Sequence, residues 1–241
     1  FGMDTHILRK GYRHRNRKCS HSFSNNVTTA TRAGDINNDN LTSIGVFASL
    51  THGNFDATVS TPNFMYNQLV EKKNGTWQYT PLKYWPNNDS DKISFFAYAP
   101  HNATGVTPSN AIQKGYPSFT YTTPTAEADQ VDLLAATPII NQNGGSVDFK
   151  MQHALTKVVF NVKSNDDITG KVITAFSITG AKSGTLAFHV PANDDDKGFG
   201  WTYPSTVTAE TFTATTKSLS VPDKSTPEEL CYVPTSCSPQ I

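Results

Sequence analysis

The chain has 241 residues, with charged side chains held to 17% and 20 basic groups balanced by 20 acidic ones. That length suits one large or two ordinary β domains with a real core. Six basic groups (Arg9, Lys10, Arg13, Arg15, Arg17, Lys18) stand in the first 18 residues against one acid, Asp4, leaving a body of 14 basic and 19 acidic groups. This mildly acidic body argues against nucleic acid as a partner, and no apolar run approaches the length of a membrane-crossing helix.

The basic head, residues 1–21, is read as a disordered leader or a cloning or gene-calling remnant. The sharper alternative is an arm for nucleic acid or anionic lipid. Ile7-Leu8 is too short for a signal-peptide core, and Arg17-Lys18 stand before Cys19 where a lipoprotein acylation site needs small apolar residues.

Next comes a polar, Thr-rich extended segment, residues 22–32, and then an Asn/Asp-rich loop over 34–40. Residues 41–50 read as a strand, with Ile44, Val46 and Ala48 on one side. A second strand over 63–73 ends at Asn74-Gly75, a hairpin signal, and residues 77–80 form its return. Residues 93–99 (Ile-Ser-Phe-Phe-Ala-Tyr-Ala) carry apolar side chains on both faces of an extended chain. Such a strand belongs inside a sandwich, covered above and below. The aromatic cluster before it, Trp77, Tyr79, Tyr84 and Trp85, supplies large area for that packing.

Residues 100–117 read as loop, 118–121 as a short strand, and 131–136 as another. Asn141-Gln142-Asn143-Gly144-Gly145 is the strongest break and the best candidate boundary. Beyond it come the run 153–162, with Val158, Phe160 and Val162 sharing a face, and strands over 171–179, 184–190 and 206–216, with a polar turn over 193–198. Amphipathic helices are absent, so the chain reads as all-β: two antiparallel sandwiches in series, split near residue 145. The expected division is a head over 1–21, an N-terminal sandwich over 22–145 and a C-terminal sandwich over 146–241.

No catalytic constellation emerges. There is no Gly-rich phosphate loop and no G-x-S-x-G elbow. The seven histidines show no metal-ligand spacing, and His153, beside a strand start, reads as a packed structural histidine. Asp35-x-Asn37-x-Asp39 has alternate oxygen ligands but lacks the glycine and glutamate of a calcium loop; residues 193–198 carry a lysine among their acids. Both read as solvated turns. No catalytic, cofactor or metal residues are assigned. The five N-x-S/T sequons are what an Asn-, Ser- and Thr-rich chain produces by chance. Three cysteines have no framework spacing; Cys231 and Cys237 are near enough in sequence to bridge, and their state is left open. The residues alone leave one binding alternative: a surface carbohydrate-binding module stacking sugar rings on Trp77, Tyr79, Tyr84 or Trp85, against core packing for the same four.

Several segments, in this order, resemble the fimbrillin (Mfa-like) family, type V pilus subunits of Gram-negative anaerobes. They are Thr31-Arg32-Ala33, Ile44-Gly45-Val46-Phe47-Ala48, Asn63-Phe64-Met65-Tyr66-Asn67, Trp77-x-Tyr79-x-Pro81-x-Lys83-Tyr84-Trp85-Pro86 and Phe95-Phe96-Ala97-Tyr98-Ala99-Pro100. Asp132-Leu133-Leu134-Ala135 and Phe149-Lys150-Met151-x-His153-Ala154-Leu155-Thr156-Lys157-Val158-x-Phe160 continue the series. The resemblance implies two transthyretin-like sandwich domains and a lipoprotein precursor carried to the outer membrane. It also implies a non-enzymatic fimbrial or accessory subunit without cofactors, partnered with other subunits by donor-strand exchange, and adhesion to host or bacterial surface ligands. An arginine-specific protease removes the first strand in such subunits, which makes residues 22–32 the removable strand and Arg32 the candidate cleavage point. The family continues with further strands past the Pro-containing segment near residue 234, so a truncated second sandwich with open edges is expected.

Overall fold

The computed structural model describes residues 36–37, 39–162, 172–220 and 228–236. The segment 22–32, Arg32 and Cys237 lie outside the described residues. Among the described residues fifteen strands follow in chain order: β1 Ser43–His52, β2 Met65–Lys73, β3 Thr76–Gln78, β4 Asp91–Ala99, β5 Val106–Pro108, β6 Ser118–Thr122, β7 Leu134–Ala136, β8 Ile139–Gln142, β9 Met151–His153, β10 Thr156–Val162, β11 Val172–Ala181, β12 Ser183–Phe188, β13 Phe199–Thr202, β14 Ala209–Ser220 and β15 Glu228–Ser236. One 3-10 turn, Glu127–Asp129, is the sole helical element among the described residues.

Every strand pairing among the described residues is antiparallel. A seven-stranded sheet runs β3-β2-β1-β4-β7-β9, with β8 also on β4. A four-stranded sheet runs β13-β12-β6-β5, and β10-β15 and β11-β14 form two ribbons. Sequence chemistry places the turns. Asn74 (φ 52°) and Gly75 (φ 77°) close the β2–β3 hairpin in the left-handed region that this residue pair tolerates best.

β4 sits at the centre because neither of its faces is polar. Its Phe96 and Tyr98 join Phe47, Phe119, Tyr121, Leu186 and Phe188 in the core between the two large sheets. Tyr98 meets Phe119 at 5.0 Å and Phe96 meets Phe188 at 5.6 Å, both tilted, while Phe47 stacks on Tyr98 at 6.1 Å, in the separation range that aromatic pairs prefer. On the opposite face Ile93, Phe95, Ala97 and Ala99 pack with Ile44, Val46, Leu134, Trp85, Val147 and Phe149. The expectation of a strand covered on both sides therefore holds.

The expected cut near residue 145 does not separate two bodies. β9, beyond the cut, hydrogen-bonds to β7, and β12 to β6. Gly145 (φ 91°) lies at a turn inside the first body. Turn composition marks where a chain reverses, while strand partnership is decided by distant residues. The run 153–162 also divides: β9 ends at His153 in the seven-stranded sheet, and β10 leaves to pair with β15.

Tyr98 is the polar centre of the large core. Its hydroxyl donates to Asn67 Oδ1 (2.8 Å) and accepts from the Asn102 N–H (3.2 Å). Burial pushes its pKa above the usual tyrosine value, so it stays a donor. Asn67 (φ 43°) and Asn102 (φ 51°) both hold left-handed backbone, and their side chains bond to each other at 2.9 Å.

Candidate functional site

Of the four aromatic positions singled out for stacking, Trp85 is a core residue. It is 3% exposed, meets Phe95 edge-on at 5.8 Å and donates its indole N–H to Gly145 O at 3.2 Å. Trp77 and Tyr79 are partly buried against the same core. The Tyr79 hydroxyl accepts from the Lys83 N–H and donates to its carbonyl, both at 3.2 Å, while Lys83 lies over the Phe64 ring at 5.5 Å. Tyr84 is 50% exposed. The cluster is thus divided between core and surface and does not form a shared ring platform.

The described residues of both acidic loops make hydrogen bonds within their own turns. Asn37 Oδ1 accepts from the Asp39 and Asn40 N–H groups. In the β12–β13 loop, Asp196 accepts from the Ala192 and Gly198 N–H groups, each at 2.9 Å, and contacts His189 Nε2. Those backbone donors, with His189, hold its carboxyl at a pKa of about 2. Among the described residues no group of three or more His, Cys, Asp or Glu is placed to hold a metal ion, and no helix is long and apolar enough to cross a membrane.

What the fold does build is a set of tied junctions where the ribbons leave the main body. At the β9–β10 step the Ala154 N–H donates to Leu133 O and its carbonyl accepts from the Trp201 indole, both at 2.7 Å. Between β11 and β12, Lys182 donates its N–H to Thr208 O (3.0 Å), accepts from the Thr123 N–H (2.9 Å) and reaches Glu210 Oε2 at 2.7 Å. The Lys182 ammonium holds the Glu210 pKa below its usual value.

Asp132 completes this region: Oδ2 accepts from the Ile36 N–H (2.7 Å) and Oδ1 meets His153 Nδ1 (2.9 Å). One carboxylate therefore joins the segment before β1 to the root of a ribbon. His153 is a packed, partnered histidine, as its place in the sequence suggests. Asp132 gave no such signal, because its partners lie 96 and 21 residues away.

The arrangement offers strand edges, apolar faces and tied junctions. The sequence profile of the fimbrillin-like family matches residues 29–236. Fimbrium subunit Fim1C of Phocaeicola vulgatus is 35% identical over 156 residues, covering 57% of this chain and 41% of that protein. The chain therefore spans about two fifths of the length of this curated relative. A crystal structure of a fimbrial protein from Bacteroides vulgatus ATCC 8482 shares the fold, with a TM-score of 0.67 at 24% identity over 90% of this chain and 77% of that one. A candidate cell adhesion protein from Bacteroides uniformis ATCC 8492 follows, with a TM-score of 0.51 at 16% identity over 90% and 75%. With the profile covering nearly its whole length, the chain belongs to the fimbrillin-like (Mfa-like) family.

Proposed function

We propose that this protein is a structural or accessory subunit of a surface fimbria, built into the fibre by β-strand complementation and supporting adhesion. The observation that carries this reading is the fimbrillin-like match over residues 29–236, supported by the likeness to a fimbrium subunit. A sandwich lacking one strand exposes unpaired backbone and an apolar trough, and an extended segment of a neighbouring subunit repairs both. In this reading residues 22–32 are the removable strand, released by cleavage after Arg32. The two large sheets form the first of two transthyretin-like sandwiches, and the ribbons β10-β15 and β11-β14 belong to the second. The precursor is a lipoprotein delivered to the outer membrane, and the subunit's work is mechanical, without a catalytic step.

Electrophoresis of the assembled protein in mild detergent tests this. Ladders of subunits that lengthen with concentration, and a mature N-terminus starting at Ala33, are expected. A protein that forms no ladder at any concentration overturns strand complementation. A mature N-terminus elsewhere overturns the Arg32 assignment while leaving assembly intact.

A further inference from the structure

Arginine and lysine are divided along this chain. The five arginines are Arg9, Arg13, Arg15, Arg17 and Arg32, and residues 33–241 contain none. Of the fifteen lysines, Lys10 and Lys18 are in the basic head and the other thirteen stand after residue 32. Outside that head the chain has one arginine, Arg32, the candidate cleavage point. Both side chains carry the same charge, so solubility and net charge do not separate them. Recognition does: arginine offers a planar fork of donors, lysine a compact point charge on a flexible stem. A pocket built to pair both arms of the fork keeps unpaired polar groups around an ammonium.

The fold shows where an arginine would matter. Lys73 at the β2–β3 hairpin, Lys114 between β5 and β6, Lys150 before β9 and Lys197 between β12 and β13 are all exposed, in or next to a turn or loop. Ala111, Ile112, Gln113 and Lys114 form an unbroken exposed run, with Ile112 79% exposed. The run is tethered at its ends, where the Ser109 N–H donates to Ser118 O (2.8 Å) and the Gly115 N–H to Ser60 O (2.7 Å). Exposed loop tips are preferred sites of proteolytic nicking, because a short segment opens without unfolding the body. Burial alone does not shield the stretch ending at Lys114.

We propose that lysine at these exposed turns closes the body of the protein to an arginine-specific protease. Cleavage adds one water across the peptide bond after arginine, leaving a carboxylate on that residue and an amino group on the next. An enzyme that performs this step at Arg32 finds no second substrate in residues 33–241, whether the loops are packed or open. The surface cations stay in place. The proposal rests on the Arg32 assignment above and adds a claim about the body: its protection resides in residue type rather than in burial.

Timed digestion of the folded full chain, read by intact mass, decides it. With a lysine-specific endoprotease, the wild type is expected to be cut after Lys114. With an arginine-specific endoprotease, the 33–241 body of the wild type is expected to survive, while Lys114→Arg is cut after residue 114 under the same conditions. Lys197→Arg should be cut more slowly, because Asp196 and Gly198 on either side are held by hydrogen bonds. Lys92→Arg, inside β4, should resist. If Lys114→Arg and Lys197→Arg both stay whole, the fold protects the body without help from residue type, and the proposal is overturned. Lys92→Arg cut as fast as Lys114→Arg also overturns it, because cleavage would then proceed through unfolding and not at the exposed turns. A wild type left uncut at Arg32 while Lys114→Arg is cut overturns the Arg32 assignment and supports protection of the body, so the two ideas fail separately.

Discussion

Strand β4 and the β11-β14 ribbon solve the same problem under different cover. Ile93, Phe95, Phe96, Ala97, Tyr98 and Ala99 are all fully buried, because sheet or loop lies over both faces. In the ribbon, Phe176, Ile178 and Phe212 are buried or half-buried on one face, while Ala175, Ser177, Thr179, Thr211 and Thr213 are exposed on the other. Side chains alternate across a strand, so a covered face shows as apolar residues at every second position, and two covered faces as a continuous apolar run. The difference teaches where stability resides: methylene and ring carbon withdrawn from water on both sides in β4, on one side in the ribbon.

The sharpest test of that contrast is Phe96→Ala. Phe96 meets Phe55 and Phe188 at 5.6 Å and Tyr116 at 6.0 Å, so the cavity is walled by rigid rings that cannot collapse into it. A loss of about 3–5 kcal/mol is expected in chemical denaturation. A loss below 1 kcal/mol would show that the core between the sheets is not tightly packed.

A smaller effect is expected at the polar centre. A Cβ on Gly45 would collide with the Tyr98 ring and come within 2.9 Å of Asn67 Oδ1. Gly45→Ala must therefore displace the Tyr98–Asn67–Asn102 network, at about 1–3 kcal/mol. Tyr98→Phe leaves the Asn67 oxygen and the Asn102 N–H without that hydroxyl and is expected to cost about 1–3 kcal/mol. Because both changes act on one network, the double variant should lose less than the two losses added, which a double-mutant cycle measures.

Much of this architecture is legible in the residues. The all-apolar run of β4, the Asn74-Gly75 hairpin and the alternation of β1 each follow from local chemistry that the fold respects. β5, β8 and β13 are not legible, because three or four residues are too few to establish a period of two. No strand is read between residues 198 and 206, although Phe199 and Trp201 both pack against the core. Residue 145 is misread for a different reason: Gly144-Gly145 announces a turn correctly, but whether the strands beyond it rejoin the same sheet depends on partners far away in sequence. Among the candidate stacking residues, Trp85 and Tyr84 are neighbours with opposite fates. Strand-like alternation says that they differ, and does not say which one is buried.

The acidic loop at the end of the main body gives a weaker effect with a definite sign. The Asp196 pKa falls from the usual 3.8 to about 2 on folding, chiefly through the Ala192 and Gly198 N–H groups. A group depressed in the folded state contributes fully above the unfolded value, and that contribution fades as pH falls toward the folded one. Wild type should therefore lose this increment between about pH 4 and pH 2. Asp196→Asn lacks the titrating group, so the difference in melting temperature between the two proteins should shrink across that window. A difference that stays constant from pH 6 to pH 2 would remove the Asp196 carboxylate as the cause.

The smallest effect belongs to the exposed face of the ribbon, where the Thr179 and Thr211 hydroxyls lie 3.0 Å apart in directly paired positions. In water each hydroxyl exchanges its partner for solvent at little net cost. Replacing both by valine keeps the β-branched shape that suits a strand, so Thr179→Val with Thr211→Val should change stability by less than about 0.5 kcal/mol. The same pair of substitutions turns a polar face apolar, so the double variant should lose solubility before it loses stability. A drop of 2 kcal/mol or more would mean that another surface covers this face in the folded protein, and the contrast with β4 would then dissolve.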